Sequence, residues 1–342
     1  MSLPRLTGVE PLERVRRLLA GISELDGAHV ETLVGDASNR AYFRITLDDD
    51  TRIVALLPEA FEAESLPFLN VTRLLAEIPV RVPEVIHVAG EQGALVLEDL
   101  GDNILQDVVD GATIGHKTDL YEEAIDILAR LSLRGAELES ERFLPYRIAF
   151  DPKKFMWELD FFRKHFLEGL RGCVLEISER EDLETAFQDL STELCAQTFV
   201  LCHRDYHSRN LMVVPGDSGS FGRRGELAVI DFQDARQGPR VYDLVSLLND
   251  SYVAHTPEFV RVMTERFERA VGADVSEDYD RAALQRNLKA LGTFGYQIDH
   301  RDNAVYERYL DGTLAMVRAN LERNPQWDSL RRILARHCEE IG

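Results

Sequence analysis

Leu201-Cys-His-Arg-Asp-Tyr-His-Ser-Arg-Asn210, with Val229-Ile-Asp-Phe-Gln233 some twenty residues later, is the stretch that decides how this chain folds. Asp205 precedes Asn210 by five residues, and Asp231 ends an apolar run of β character. Phosphoryl transfer from Mg-ATP needs a carboxylate to orient the attacking hydroxyl and oxygen ligands to hold hard cations against the phosphates. Asp205 is the candidate catalytic base, and Asn210 and Asp231 are the candidate Mg²⁺ ligands. Either fragment alone reads as a polar turn or a solvated strand end. Together, in this order and between short strands, they read as one constellation.

Working outward, Phe199 to Cys202, Leu211 to Val214 and Leu227 to Ile230 have β character and leave the polar residues on loops, where chemistry is commonly carried. A turn-rich insertion, Pro215 to Gly225, separates the last two. Everything else after residue 100 has helical spacing, as in Leu120, Ala124, Ile127, Leu128 and Leu131. Asp151-Pro152 is an N-cap followed by Pro at N1, opening a helix whose Phe155, Leu159 and Phe162 stripe reads as core. A further helix is expected from Glu181 to Gln197.

Before residue 100 the pattern differs. A helix over Pro11 to Leu19 leads into strands at His29 to Val34, Ala41 to Leu47 and Arg52 to Leu57, separated by the turn-forming Gly35-Asp-Ala-Ser-Asn39 and Asp48-Asp-Asp50. A helix over Glu62 to Glu77 and strands at Glu84 to Ala89 and Ala94 to Glu98 complete the set. The expectation is an α+β fold of two lobes: a nucleotide-binding lobe over residues 1–100, five strands with one main helix, and a larger helical lobe over residues 101–342. Gly35, Ser38, Asn39 and Arg40 form a loop suited to covering ATP phosphates with backbone N–H groups. Glu98 and Leu100, in Glu98-Asp-Leu-Gly101, mark a hinge whose backbone suits adenine.

One part is missing. Arg52-Ile-Val-Ala-Leu-Leu57 places Leu57 where a Val-Ala-Ile-Lys strand carries its phosphate-binding lysine. Arg40 and Arg44, alternating along the neighbouring strand, are the candidate replacements.

Composition narrows the function classes. The 342 residues are 45% hydrophobic and 29% charged, enough for a large core, and the net charge of -21 argues against a nucleic-acid partner. No apolar run approaches the roughly eighteen residues of a membrane span, and the N-terminus lacks a secretory pattern, so a cytoplasmic protein is expected. Cys173, Cys195, Cys202 and Cys338 lack metal-ligand spacing and read as reduced thiols.

On these residues the chain resembles the aminoglycoside phosphotransferase/choline kinase-like family of small-molecule kinases. Within it the chain is most similar to anomeric sugar kinases of cell-wall recycling that act on N-acetylmuramate and N-acetylglucosamine. The carriers are His203 to Met212, Val229 to Ala235, Gly238-Pro239, Tyr242-Asp-Leu-Val-Ser-Leu-Leu248, Leu288 to Phe294 and Arg301-Asp302. Ala55-Leu-Leu-Pro-Glu59 departs from the Met-Asp-Ala-Pro-like end of the third strand in that subfamily, and the insertion at Pro215 is a second departure. The resemblance implies a bilobal protein-kinase-like fold, ATP and Mg²⁺ as cofactors and a small-molecule acceptor, an amino sugar. Choline, ethanolamine and aminoglycosides are alternative acceptors, and a nucleotide-binding pseudokinase is the alternative of another class. His207 is expected either to assist charge at the γ-phosphate or to support its own loop. Asp243 is expected to fix the catalytic loop, and Arg301 and Asp302 either to line a sugar site or to end a solvated helix.

Overall fold

The structure, a computed structural model, describes residues 10–33, 40–214 and 227–342. The chain divides into two compact units. In the first, α1 (Pro11–Ala20) starts with Pro at its first position, where no N–H is needed, and buries Val15, Leu18 and Leu19 on one face. It packs on a five-stranded antiparallel sheet of order β1-β2-β3-β5-β4: β1 (His29–Leu33), β2 (Ala41–Leu47), β3 (Asp50–Leu56), β4 (Val85–Ala89) and β5 (Ala94–Glu98). Phe43 and Ile45 of β2, Val54 and Leu56 of β3 and Ala94 and Val96 of β5 supply the alternate residues that meet α1.

The sheet and helices expected here are present, with two boundaries shifted by more than one residue. Asp50 is already in β3, paired with Leu47, so the connection tightens to two residues with Asp48 left-handed at φ 54°. The helix α2 (Pro67–Glu77) begins at Pro67 instead of Glu62, because a residue preceding proline is sterically pushed out of the α region.

The first unit also takes in residues 227–233 and the strand end at 212–213, which a single cut at residue 100 leaves with the helices. Backbone hydrogen bonds account for this: Val213 N–H donates to the Asn103 carbonyl (2.7 Å) and Val229 N–H to that of Arg81 (2.9 Å). Phe232 is fully buried with its ring 4.8 Å from that of Phe68 on α2. Strands β6 (Phe199–Cys202), β7 (Leu211–Val213), β8 (Leu227–Val229) and β9 (Arg236–Pro239) form two small sheets, β6 with β9 and β7 with β8.

The second unit is mostly helical: α3 (Leu105–Asp110), α4 (Ile114–Glu137), α5 (Pro152–Phe162), α6 (Ile177–Cys195), α7 (Tyr242–Leu248), α8 (Pro257–Val271), α9 (Ser276–Arg301), α10 (Leu310–Arg323) and α11 (Asp328–His337). Asp151 caps α5 as expected, accepting from Lys154 N–H at 2.7 Å, and Phe155, Leu159 and Phe162 are buried. The helix then widens into a π-helical segment, Arg163–Leu170. Two glycines of α9 let these backbones touch. A Cβ on Gly292 would lie 2.7 Å from Phe162 Cα, and one on Gly295 would lie 2.4 Å from the His165 carbonyl oxygen. This approach sets one face of α9 against α5. Among the described residues no helix is long and apolar enough to cross a membrane, and all four cysteines are thiols.

Candidate active site

The loop from His203 to Asn210 leaves β6 and is held by backbone-directed carboxylates. Asp243, in the first turn of α7 and 4% exposed, accepts from His203 N–H (2.5 Å) and Arg204 N–H (2.9 Å). Between them the chain turns through Arg204 at φ 87°, a left-handed conformation that costs a non-glycine residue about 1 kcal/mol or more. Arg286 of α9 fixes the other side of that residue by donating to the Arg204 carbonyl and to Tyr242 Oη, both at 3.0 Å. Asp250 does the same work farther along, accepting from Ser208 N–H (2.9 Å) and Oγ (2.5 Å) and from Tyr252 N–H (2.8 Å). The fully buried Tyr206 donates to the Ala124 carbonyl of α4 at 3.0 Å. The expectation for Asp243 is met; Asp250 and Tyr206 are anchors that went unread.

So held, Asp205 sits among cations. Lys289 Nζ donates to Asp205 Oδ1 at 3.2 Å, Arg286 stands 3.7 Å from Oδ1 and Arg204 3.8 Å from Oδ2. Burial by itself would raise the Asp205 carboxyl, but Lys289, Arg286 and Arg204 outweigh it and hold it well below its ordinary value. Behind Lys289 lies Glu158 of α5, 1% exposed, 4.0 Å from Lys289 Nζ and 3.3 Å from Lys154 Nζ, with Gln285 donating to it at 2.8 Å. The four groups alternate in sign along a line: Lys154, Glu158, Lys289, Asp205.

Asp205, Arg286 and Lys289 open onto a cavity of about 150 Å³, lined also by His207, Tyr252 and Thr293. Burial lowers the His207 imidazole to about 3, so at neutral pH it carries no charge, and its ring stands edge-on to Tyr252 at 5.4 Å. Of its two expected roles, support of the loop is the one that a neutral ring can fill. Arg301 and Asp302 end α9 as exposed residues, Asp302 as a left-handed cap at φ 52°.

The candidate metal ligands fall in separate units. Asn210 donates from Nδ2 to the Asp205 carbonyl at 2.8 Å, which turns Oδ1 away from that bond as the end for a cation. Asp231 is exposed and left-handed at φ 62°, and its Oδ1 accepts from Gln233 Nε2 at 2.7 Å. An amide oxygen and a carboxylate are donors of the type Mg²⁺ takes.

Of the candidate nucleotide-binding residues, Gly35, Ser38 and Asn39 lie outside the described residues. Arg40 lines a small cavity with Leu57, Tyr42, Ala55, Leu66, Phe68, Leu95 and Leu97. Ala41 pairs with Leu56, so Arg40 and Leu57 meet at the end of the same strand pair. Arg44 is held elsewhere: its guanidinium bonds Asp99 at 2.6 and 3.2 Å and Asp102 at 2.7 and 3.2 Å. Its hydrogen bonds to Asp102 and Asp99 push its pKa above even the ordinary arginine range. In the hinge, the Glu98 carboxylate accepts from Arg81 (3.0 Å) and from Glu84 N–H (3.1 Å), while Leu100 is buried. Gly101, at φ 80°, donates its N–H to Asp99 at 2.9 Å.

Arg286 carries no mark in the sequence, and Lys289 lies in Leu288 to Phe294, a run that carries the family resemblance but gives the lysine no role. They lie some eighty residues beyond the loop, and only the packing of α9 brings them to it. The sole available signal was their helical spacing within the run ending Leu288-Lys-Ala-Leu-Gly-Thr-Phe294.

The chain is similar to known proteins over most of its length. The chain is 32% identical over 323 residues to an N-acetylmuramate/N-acetylglucosamine kinase of Neisseria meningitidis, covering 90% of this chain and 91% of that protein. It is 31% identical to the enzyme of the same name from Pseudomonas aeruginosa, with coverage of 92% and 90%. Among solved structures, it superposes on a GDP complex of aminoglycoside 2'-phosphotransferase-IIIa with TM-score 0.64 at 17% identity, covering 91% of this chain and all of that one. On a choline kinase of Streptococcus pneumoniae the TM-score is 0.56 at 16% identity, with coverage of 87% and 97%. These likenesses establish the kinase-like α+β fold. Residues 29–284 match the phosphotransferase enzyme family (APH), and the chain belongs to that family, as a phosphotransferase acting on a hydroxyl group.

Proposed function

We propose that this chain transfers the γ-phosphoryl group of ATP to the anomeric hydroxyl of an amino sugar of the N-acetylmuramate/N-acetylglucosamine type. Asp205 aligns the hydroxyl; as the oxygen bonds to phosphorus the bridging bond to ADP breaks, and the hydroxyl proton passes to Asp205. Asn210 Oδ1 and the Asp231 carboxylate are the groups to hold Mg²⁺, which when bound neutralises phosphate charge. The observation that carries the choice of acceptor is the pair of cations, Arg286 and Lys289, at the cavity beside Asp205. They balance the carboxylates of Asp205 and Asp250 in the same lining, so the cavity offers hydrogen-bonding groups to a sugar without the net negative charge that choline, ethanolamine or a polycationic aminoglycoside would call for. The names of the relatives from Neisseria meningitidis and Pseudomonas aeruginosa support the same acceptors.

An acceptor series with Mg-ATP tests this. Formation of a sugar 1-phosphate is expected from both N-acetylmuramate and N-acetylglucosamine, with kcat/KM at least about tenfold above that of choline or kanamycin. Turnover confined to the cationic acceptors refutes the reading.

Arg40 is our candidate for the cation that replaces the lysine absent at Leu57, since the two residues share one cavity, whereas Arg44 is committed to Asp99 and Asp102. Arg40→Ala is expected to weaken ATP binding by about ten- to a hundredfold, the worth of a hydrogen bond to a charged group. Arg44→Ala is expected to lower thermal stability, by about 2 kcal/mol for a partly buried ion pair, with ATP affinity near that of the parent. Isothermal titration and thermal unfolding of both variants separate the roles, and the reverse pattern overturns them.

A further inference from the structure

Resting on the reading of Asp205 as the base, we propose that Lys289 is its positioning residue, a cation delivered from α9 in place of one on the catalytic loop. His207, two residues past the base, does not fill that place: it is only partly buried, with its ring edge-on to that of Tyr252. Arg204 and Arg286 approach the Asp205 carboxylate only to 3.8 and 3.7 Å, whereas Lys289 Nζ reaches Oδ1 at hydrogen-bond distance, 3.2 Å. Engaging Oδ1 fixes the rotation of the carboxylate about its terminal bond and leaves Oδ2 to receive the acceptor hydroxyl.

The lysine is itself held. Its side chain is 19% exposed, and Glu158 stands 4.0 Å behind it, anchored by Gln285 and Lys154. Gly292 and Gly295 keep this stretch of α9 in backbone contact with the segment that continues α5, the helix bearing Glu158. A long, flexible side chain is thereby reduced to one reach. Such positioning is worth a great deal, because displacing a reacting group by about 1 Å can cost about a hundredfold in rate.

The test uses Lys289→Met and Lys289→Arg of the full chain, with kcat and KM for ATP, N-acetylmuramate and N-acetylglucosamine. In Lys289→Met, kcat is expected to fall about a hundredfold with both acceptors in parallel, KM for ATP staying at the parent value. Lys289→Arg, which retains a cation able to bond a carboxylate, is expected to recover to within about tenfold of the parent. Lys289→Gln, which keeps a polar group against Glu158, carries the expectation of the Met variant should that one not fold. Unchanged kcat overturns the proposal. So does a loss confined to N-acetylmuramate, which would make Lys289 a contact for the acceptor's carboxylate, and so does an arginine variant as slow as the methionine one. An Asp205→Asn enzyme with parental turnover removes the base and its positioning together. An inactive Asp205→Asn beside a fully active Lys289→Met removes the positioning alone.

Discussion

Asp205→Asn lowers kcat by about 10²- to 10⁴-fold, the range for removal of a general base, with Mg-ATP affinity within about threefold of the parent. The amide can still accept a hydrogen bond from the acceptor, so alignment is partly kept, but it cannot take the proton as the new O–P bond forms. The nucleotide is not expected to sense the change, since Asn210 bonds the Asp205 backbone carbonyl and not its side chain. Burial opposes ionisation of Asp205 and the surrounding Lys289, Arg286 and Arg204 favour it more strongly, so the native pKa is depressed. A depressed carboxylate stabilises the fold above its unfolded pKa and loses that contribution as pH falls through the native value. Turnover of the parent should therefore show no acid limb from this group above about pH 4. Steady-state kinetics across pH, with calorimetry for Mg-ATP, decide the matter: parental kcat in the variant would discard the base, and lost nucleotide binding would make Asp205 a structural group.

The parts of this site that were legible in the sequence are those whose chemistry is local. Asp205, Asn210 and Asp231 follow one another in a fixed order on one loop and at the end of the strand pair after it, so order and β context expose them. The N-terminal strands could be read because alternation marks a sheet with one face buried, here the face of Phe43, Ile45, Val54 and Val96 against α1. What could not be read depends on helix packing. Lys289 and Arg286 look like ordinary polar residues of a long helix until Gly292 and Gly295 admit α5 and its extension to backbone contact. The same holds for Arg44, which strand alternation nominates as readily as Arg40. Its commitment to Asp99 and Asp102 rests on a turn at Gly101 that periodicity does not describe.

These unread residues share a feature: each acts on the backbone or rotamer of a residue that was read. Asp250 and Tyr206 hold the loop from below, and Arg286 clamps its strained peptide. The proposed chemistry is thus announced by a few side chains, on the loop from His203 to Asn210 and at Asp231, while its geometry is imposed by helices from distant parts of the chain. Sequence spacing reports the former and is blind to the latter.

Asp243→Asn is the sharpest test of that division, with expected losses of about 2–3 kcal/mol in stability and about a hundredfold in kcat. The native carboxylate accepts two backbone N–H groups, from His203 on one oxygen and Arg204 on the other. An asparagine offers one oxygen, and its amide nitrogen then faces an N–H donor at a site only 4% exposed, where water cannot compensate. The lost acceptor matters beyond its own bond, because it holds Arg204 at φ 87°, from which the backbone would otherwise relax. Relaxation moves Asp205, the next residue, away from Lys289 and Arg286. Stability and turnover should therefore fall together while the Asp205 side chain remains intact, the opposite of Asp205→Asn, in which turnover falls far more than stability. Thermal unfolding and single-turnover kinetics on the same preparation make the comparison. A variant that loses stability yet keeps parental kcat would show that Asp243 supports the fold without fixing the position of the base.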